Sequence, residues 1–274
     1  MAARRVVVTG AGSGIGRAVA ERLARDGDRV LGTVRSAERA AELTRAAGAA
    51  GLPLRFAPLE LTEPASVAEL VAAVEADGGV DVLVLNAGCG VFGSVEELDD
   101  AVVARQFAVN LLGPLTLARR LLPLLRARRG RVIWVGSLAG RLALPFQAHY
   151  SATKAAIAAV SDALRMELAP FGVSVTCVEP ADVATGFTTA RERCAPAGSP
   201  YADRVGRCLA AVERGEVAAP GPERVGRRIA RLSRSRCPPA RLPVGPFAGA
   251  IALLHRLLPD RAREWLVRRT YRVG

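Results

Sequence analysis

Lysine is almost absent from this 274-residue chain. One of its 38 basic residues is a lysine, Lys154, and asparagine occurs twice, as Asn86 and Asn110. Arginine and alanine are abundant, as expected from a GC-rich genome that avoids codons beginning AA. The net charge of +12 is therefore weak support for a nucleic-acid or acidic-membrane partner, and we expect neither. The same bias makes the lone lysine and the two asparagines informative, because arginine has not replaced them.

Long apolar runs and paired cysteines are also missing. No apolar stretch approaches the ~20 residues of a membrane-spanning helix, and the first residues lack the features of a signal peptide. The five cysteines are scattered and never form a CxxC pair, which argues against a common metal or redox motif. Half of the residues are hydrophobic, which disfavours disorder. We therefore predict a cytoplasmic protein with free thiols, no metal and no membrane span.

Short apolar runs alternate with longer amphipathic segments through the first two-thirds of the chain. This alternation predicts an α/β fold, a doubly wound parallel sheet (Rossmann fold) with helices on both faces and a C-terminal helical cap. The predicted strands are Arg4–Thr9, Arg29–Val34, Leu54–Pro58, Val82–Leu85, Arg131–Val135 and Val173–Val178. The predicted helices lie near 14–26, 36–47, 64–76, 96–109, 111–128 and 151–169.

Short connections between these elements predict that residues 1–274 form one domain, with residues 1–186 as the cofactor-binding and catalytic core. Residues 187–221 are rich in proline, glycine and arginine without a clear period, which predicts a mobile substrate loop or lid. The extension 222–274 is predicted to contain a helix near 222–234, a strand at Arg241–Val244 and two amphipathic helices ending at Tyr271. We expect this extension to cap the substrate pocket or to contact a second subunit, rather than to lie on a membrane surface.

A glycine-rich turn links the first predicted strand to the first predicted helix. It reads Thr-Gly-Ala-Gly-Ser-Gly-Ile-Gly from Thr9 to Gly16. Such glycines permit a tight turn and let backbone N–H groups approach a pyrophosphate, and the helix N-terminus adds favourable partial charge. An ordinary glycine loop is the alternative, but the position between strand and helix favours dinucleotide binding.

The end of the second strand predicts the choice of cofactor. An Asp or Glu there would accept a hydrogen bond from the adenosine ribose 2′-hydroxyl of NAD, but residues 32–36 contain no acid. Arg35 instead offers a planar fork suited to a 2′-phosphate, which predicts NADP(H). The alternative is a solvated arginine at the start of a helix.

Tyr150 and Lys154 are one helical turn apart and therefore share a helix face. A cation about 4 Å from a phenol is worth at most ~4 kcal/mol to the phenolate, or roughly three pKa units. Lys154 is thus expected to lower the pKa of Tyr150 toward the range of a working acid/base. An ordinary amphipathic helix is the alternative. The arginine bias opposes it, because a generic surface lysine would have become arginine.

Three more polar residues are predicted to face the same cleft. Asn86 follows a strand, Asn110 lies at a helix junction, and Ser137 follows the fifth strand. Ligands of doubly wound folds bind at the carboxyl edge of the sheet, where these positions meet. Ser137 can donate a hydrogen bond to a substrate oxygen, although a turn serine is the commoner explanation of that residue alone.

Residues 4 to about 186 resemble the short-chain dehydrogenases/reductases of the TGxxxGIG type. The matching positions, in order and at family spacing, are Thr9–Gly16, Asn86–Gly88, Asn110, Ser137, Tyr150 and Lys154. The resemblance implies four catalytic residues. Ser137 would hold the carbonyl, Tyr150 would donate the proton, Lys154 would bind the nicotinamide ribose, and Asn110 would anchor a water of the proton relay.

The resemblance also implies further contacts with the cofactor. Residues 180–185 resemble the PGxxxT segment, with Ala181 in place of the usual glycine, and Glu60 stands in for the aspartate that contacts adenine. The predicted cofactor-binding residues are Gly10, Ser13, Gly14, Ile15, Gly16, Arg35, Glu60, Leu61, Asn86, Gly88, Tyr150, Lys154, Pro180, Val183 and Thr185.

Within the family, residues 86–98 and 137–154 look most like the 17β-hydroxysteroid and retinol dehydrogenase branch. This implies a bulky apolar carbonyl or alcohol as substrate, and the expected subunit assembly is a homodimer or homotetramer. Hydrophobic residues near the cleft can line such a pocket, although a plain core is the alternative. The predicted pocket residues are Val91, Phe92, Leu142, Leu144, Phe146, His149 and Phe187.

The predicted function is NADP(H)-dependent interconversion of a carbonyl and an alcohol, with reduction as the physiological direction. Two other classes stay open at this point. A non-catalytic NADPH-binding regulatory or scaffold protein would not need an activated phenol. A polyanion-binding protein would show salt-dependent binding to nucleic acid.

Overall fold

A parallel seven-stranded sheet forms the centre of the protein in a computed structural model, which describes residues 3–194 and 196–273. The strands are β1 (Arg5–Val8), β2 (Arg29–Val34), β3 (Leu54–Pro58), β4 (Val82–Leu85), β5 (Val91–Phe92), β6 (Arg131–Val135), β7 (Ser174–Pro180), β8 (Glu192–Arg193) and β9 (Arg241–Val244). Strands β5 and β8 pair with each other, and the others follow the order β3-β2-β1-β4-β6-β7-β9. The doubly wound parallel sheet is confirmed.

Helices cover both faces of this sheet. They are α1 (Gly14–Arg25), α2 (Ala37–Ala49), α3 (Pro64–Ala76), α4 (Asp100–Phe107), α5 (Gly113–Ala127), α6 (Ala148–Leu168), α7 (Phe187–Ala190), α8 (Ala202–Ala218), α9 (Glu223–Leu232), α10 (Ala248–Leu257) and α11 (Asp260–Tyr271). Helices α3, α5 and α6 pack on one face, and helices α1 and α9 pack on the other.

Alternating side chains of the strands enter two separate cores. In β1, Val7 joins the core beneath α3, α5 and α6, whereas Val6 and Val8 join the core beneath α1 and α9. Successive side chains of a strand point to opposite faces, so a strand covered on both sides must be apolar throughout. This requirement explains why the apolar runs of the sequence predicted the strands of the central sheet.

The helix predicted over 96–109 begins later than expected. It starts at Asp100, where the carboxylate of Asp99 accepts a hydrogen bond from Ala101 N at 2.8 Å. The break predicted near residue 110 is absent, because a π-helical turn at Ala108–Leu112 joins α4 directly to α5. The two predicted helices are therefore one continuous helical stretch with Asn110 in its π-helical turn.

The prediction that 187–221 forms a loop is wrong, because this segment contains α7, β8 and the 17-residue helix α8, whereas its role as a substrate lid stays a prediction. Helix α8 buries Val205, Cys208 and Val212, which pack on Phe92. These apolar anchors have helical spacing, but arginine, glycine and alanine separate them and obscure the period. Tertiary packing rather than local pattern stabilises the helix.

The C-terminal extension completes the sheet and packs beside the loop after β6. Strand β9, at the predicted position, pairs parallel with β7. Helix α10 buries Ala248 and Ala252 against Leu138, the residue after Ser137. Near the end of the chain, Tyr271 packs against the core cluster beneath α8.

One helical stretch, Asp100–Ala127, is long and apolar enough by length and composition to cross a membrane. In the fold its α5 portion inserts Leu117, Leu121 and Leu125 into the core beside the sheet, each fully buried. A core helix of a soluble fold passes the same test, so the stretch is weak evidence for a membrane span.

Candidate active site

The glycine-rich turn between β1 and α1 forms an open cradle for a phosphate group. Gly10 and Gly14 have φ values of +64° and +52°, which favour glycine. A Cβ on Gly16 would lie 2.2 Å from Gly10 O, so the turn can close only with glycine there. Ser13 caps α1 without a side-chain hydrogen bond. The backbone therefore leaves both the space and the helix N-terminus that a dinucleotide needs.

Asn86 fixes the shape of this turn. Its Nδ2 donates to Thr9 O at 3.0 Å and to Gly10 O at 3.2 Å, and its backbone N–H donates to Thr9 Oγ1 at 2.9 Å. The side chain thus supports the glycine turn, and its contact with a cofactor stays a prediction. Gly88, two residues on, is so close to the π-helical turn that a Cβ there would lie 3.2 Å from Asn110 Oδ1.

The end of β2 also borders the glycine turn. The side chain of Val34 touches Gly12, where an added Cβ would lie 2.8 Å from Val34 Cγ1. Arg35 follows with an exposed side chain. Its guanidinium makes no ion pair with any residue in 3–194 or 196–273, and its positive charge acts on the thiol of Cys89. Arg35 is thus a cation beside the expected adenosine end of the cleft.

The other predicted cofactor residues surround the same edge. A Cβ on Gly14 would lie 3.4 Å from Thr185 Cβ, so the segment after β7 lies against the glycine turn. Pro180 is the buried last residue of β7, and Val183 packs on the core cluster that Ile15 also borders. The Glu60 carboxylate accepts hydrogen bonds from Thr62 N and Oγ1 at 3.2 and 2.9 Å. Its contact with adenine stays a prediction.

Tyr150 and Lys154 lie in the first turns of α6, as predicted. Lys154 Nζ is 5.6 Å from the centroid of the Tyr150 ring and donates to Val135 O at 2.9 Å. Ser137 caps the short 3₁₀ turn Leu138–Gly140, accepting a hydrogen bond from Ala139 N at 3.1 Å. Its hydroxyl is also close enough to the Tyr150 phenol to lower the pKa of that phenol. The structure therefore brings Ser137, Tyr150 and Lys154 into one cluster.

Burial controls the proton affinities of this cluster. It raises the pKa of Tyr150 to about 12, and the nearby Ser137 hydroxyl only partly opposes that rise. Burial also lowers the pKa of Lys154 to about 8. The predicted lowering of the Tyr150 pKa by Lys154 is wrong for this arrangement. The ammonium donates a hydrogen bond to Val135 O, and removal of the phenol from water dominates the pKa of Tyr150.

Asn110 connects the loop after β4 to α6. Its Oδ1 accepts from Cys89 N at 2.7 Å, and its Nδ2 donates to Cys89 O at 2.9 Å and to Thr153 Oγ1 at 3.2 Å. Asn110 is 1% exposed. Both hydrogens of its amide are used within the protein. The structure thus gives Asn110 a positioning role, and the relay water stays a prediction.

Some of the predicted pocket residues border the cleft or a cavity, and others lie in the core. The Phe187 ring lies 5.8 Å from the Tyr150 ring, and the Nε2 atom of His149 is buried without a partner among the described residues. Leu142, Leu144 and Phe146 line a cavity of about 710 Å³ between residues 141–146 and α11. Phe92 is 1% exposed beneath α8, and Val91 is 4% exposed. Their prediction as pocket residues is wrong, because strand β5 places both in the interior.

Sequence reasoning missed three charged residues beside Tyr150. The charges of Arg191, Glu216 and Asp182 all act on its phenol. Arg191 and Glu216 form an ion pair of 2.6 Å between the start of β8 and the last turn of α8. Arg191 and Glu216 belong to residues 187–221, the segment predicted as a loop. No arginine stands out by composition in a chain so rich in it.

Metal chemistry finds no support here, because no group of three or more metal-ligating side chains occurs in residues 3–194 and 196–273. All five cysteines are free, as predicted. A further cavity, of about 230 Å³, lies at the opposite edge of the sheet among Arg5, Arg29 and Asp77. Ligands of doubly wound sheets bind at the carboxyl edge, so we place the site at Tyr150.

Comparison with known proteins agrees with this geometry. The family described as "short chain dehydrogenase" matches residues 4–194. The chain is 32% identical to a 3-ketodihydrosphingosine reductase of Bacteroides thetaiotaomicron, covering 98% of both chains. It is 37% identical to 17-beta-hydroxysteroid dehydrogenase type 1 of Homo sapiens, covering 68% of this chain and 59% of that one. A short-chain dehydrogenase from Streptomyces avermitilis superposes with a TM-score of 0.83 at 34% identity, covering 98% and 96% of the two chains.

Solved relatives bind both forms of the nicotinamide cofactor. An alcohol dehydrogenase from Thermococcus sibiricus is complexed with 5-hydroxy-NADP and matches with a TM-score of 0.73 at 27% identity, covering 88% and 95% of the chains. A relative from Burkholderia phymatum is in complex with NAD and matches with a TM-score of 0.80 at 26% identity, covering 96% and 95%. With its glycine cradle, its tyrosine–lysine helix and its family match, the chain belongs to the short-chain dehydrogenases/reductases and is a nicotinamide-dependent oxidoreductase.

Proposed function

We propose that this protein is an NADP(H)-dependent carbonyl reductase that acts on bulky, largely apolar ketones or aldehydes. The observation that carries the proposal is the buried Tyr150 phenol, which retains its proton because burial raises its pKa to about 12. A phenol that holds its proton at neutral pH is set to donate it to a reduced carbonyl. The reverse reaction needs the phenolate, which burial disfavours.

Each residue of the cluster has a defined task in this proposal. When bound, the nicotinamide supplies the hydride that reaches the carbonyl carbon. The Ser137 hydroxyl hydrogen-bonds the carbonyl oxygen, on which negative charge develops. Tyr150 transfers its phenolic proton to that oxygen, completing the alcohol and leaving a phenolate. The Lys154 ammonium, 5.6 Å from the ring centroid, stabilises that phenolate.

The glycine turn, Asn86, Gly88 and the residues after β7 are proposed to hold the cofactor. Arg35 is proposed to bind the 2′-phosphate, because it is exposed, lacks a carboxylate partner among the described residues and follows a strand end without an acid. A charge-assisted hydrogen bond of this kind is worth ~1.5–3 kcal/mol, which corresponds to roughly 10- to 150-fold in affinity.

The substrate class is proposed from the lining of the cleft and from the relatives. Phe187 beside Tyr150 and the nearby cavity of about 710 Å³ suit a bulky apolar group. One relative is named as a reductase of 3-ketodihydrosphingosine and another as a hydroxysteroid dehydrogenase. We propose a steroid-, acyl- or polyketide-like ketone. The catalytic cluster disfavours a purely regulatory NADPH-binding protein, which has no use for a proton-donating phenol.

The cofactor assignment is tested by measuring kcat/KM for NADPH and NADH with one shared ketone. We expect the wild type to favour NADPH by roughly 10- to 150-fold. Val34→Asp should reverse the preference, because a carboxylate there accepts from the free 2′-hydroxyl of NADH and repels a 2′-phosphate. Val34→Asn is the matched uncharged control and should weaken the preference without reversing it. A wild type that prefers NADH would overturn the assignment of Arg35.

A further inference from the structure

Arg191 is the most deeply buried arginine beside the catalytic tyrosine, and its hydrogen bonding is incomplete. The residue is 5% exposed. Its Nη2 donates to Glu216 Oε1 at 2.6 Å, whereas Nε and Nη1 are buried and have no hydrogen-bond partner among the described residues. A buried donor without an acceptor is costly, and more so when it carries charge. Such a group calls for a partner that the folded chain does not supply.

The position of Arg191 indicates where that partner belongs. The guanidinium lies 5.5 Å from the centroid of the Phe187 ring, and the same ring lies 5.8 Å from the ring of Tyr150. Its aliphatic stem passes Gly90, where an added Cβ would lie 3.4 Å from Arg191 Cγ. Arg191 is therefore one aromatic ring away from the proton donor, at the carboxyl edge of the sheet. Its charge also acts directly on the Tyr150 phenol.

Two carboxylates limit the charge that Arg191 presents. Glu216 pairs with it, and Asp182 lies near both, against Gly215 of α8. Partial burial and the charge of Glu216 raise the pKa of Asp182. Because these two carboxylates offset its positive charge, the Arg191 guanidinium offers N–H donors in a site with little net positive charge. A neutral oxygen acceptor suits it better than a free anion.

Arg193, two residues along the chain, provides a natural comparison. It also forms an ion pair of 2.6 Å with α8, through Glu213, but its side chain is 50% exposed. The side chain of Arg191 in the equivalent bridge is 2% exposed. Both arginines link β8 to α8, but Arg191 differs from Arg193 in having buried N–H donors without an acceptor among the described residues. The bridging role therefore does not explain why an arginine is buried at position 191.

We propose that Arg191 binds a second oxygen atom of the substrate close to the reacting carbonyl, so that the enzyme prefers oxygenated ketones such as 3-oxo esters over plain ketones. This inference rests on the proposed carbonyl reductase function and names the substrate class within it. The apolar part of the substrate lies toward Phe187 and the cavity, and its ester oxygen accepts from Nε or Nη1 of Arg191. Catalysis itself needs no donation from Arg191, which acts as a specificity residue.

The experiment compares two probes, ethyl 3-oxodecanoate and tridecan-6-one, which have equally long backbones and carry the ketone at the same position. We expect wild-type kcat/KM to favour the ester by roughly 10- to 150-fold, the range of a hydrogen bond to a charged group. Arg191→Met should abolish this preference by lowering only the rate with the ester. Arg193→Met, the matched control, breaks the exposed bridge and should leave the preference unchanged.

A binding readout separates this inference from the proposed function. Calorimetric titration of the cofactor-free protein with ethyl 3-hydroxydecanoate should show tighter binding to the wild type than to Arg191→Met, with tridecan-6-ol binding both equally. If Arg191→Met does not fold, Arg191→Lys retains one charge but lacks the extra donors, and should show a reduced preference.

Equal losses on both probes in Arg191→Met, or no preference in the wild type, would overturn the role of Arg191 and leave the reductase function intact. Reduction of neither probe nor any other ketone would instead overturn the reductase function.

Discussion

The pH dependence of ketone reduction should report directly on Lys154. Burial lowers the pKa of this ammonium from 10.5 to about 8. As the pH rises through 8, Lys154 loses its proton and the positive charge beside Tyr150 disappears. Tyr150 itself, with a pKa raised to about 12, stays protonated over this range. The loss of activity above pH 8 should therefore come from the lysine and not from the tyrosine.

The size of the effect follows from two quantities: the protonated fraction of Lys154 at a given pH, and the distance between its ammonium and the Tyr150 ring. At pH 9 a group with a pKa of 8 is about 9% protonated, whereas one with the ordinary value of 10.5 is about 97% protonated. A unit charge 5.6 Å from the phenol ring is worth about 3 kcal/mol at an effective dielectric near 20. The neutral lysine thus leaves the phenolate unsupported, and kcat/KM should fall about fivefold between pH 8 and pH 9, as the protonated fraction of Lys154 drops from about 50% to about 9%.

The assay is the pH profile of kcat/KM with NADPH from pH 6 to 10. The matched variant is Lys154→Arg, which should have lower activity at every pH because it lacks the compact ammonium head, but a flat profile since arginine keeps its charge. The neighbouring thiols of Cys89 and Cys177 do not interfere, because burial raises the pKa of both. A wild-type profile that stays flat to pH 9.5 would refute the effect of burial on Lys154.

Two further substitutions test other parts of the site. Tyr150→Phe should still bind NADPH in a fluorescence titration but lose ~10²–10⁴ in kcat, as for a missing general acid, whereas Tyr201→Phe should keep its activity. Near-native turnover in Tyr150→Phe would remove Tyr150 from the mechanism. Gly16→Ala should lower the free energy of unfolding by ~1–3 kcal/mol in urea titrations, because its Cβ would lie 2.2 Å from Gly10 O. Gly48→Ala in α2, with no atom near its added Cβ, should be stabilising, and the opposite ranking would contradict the packing argument.

The central fold was predictable because burial on both faces of a parallel sheet leaves a strong local signal. Strand β4 reads Val-Leu-Val-Leu, and every one of these residues is buried. The placement of Tyr150 beside Lys154 was predictable for a different reason, since it depends only on the geometry of one helix. Both features are encoded within a few residues of chain.

The predictions that failed concern features that depend on contacts between residues far apart in the chain. Phe92 was predicted to line the pocket, yet it lies beneath α8, whose own existence was missed. The pKa of Tyr150 was predicted from one neighbour, but burial by the whole surrounding structure determines its direction. Arg191 became visible only when its exposure and its unpartnered nitrogens were known. The sequence alone does not show which individual arginines are buried and which are exposed to solvent.

Both outer strands of the central sheet carry features that block further strand pairing. Strand β3 ends in Pro58 and contains Arg55, and strand β9 contains Pro243 and Arg241. A proline offers no backbone N–H to an approaching strand, and a charged side chain is unfavourable between two joined sheets. These features disfavour the merging of two such sheets edge to edge into one continuous ribbon. The free margins of the sheet are thus protected against amyloid-like growth.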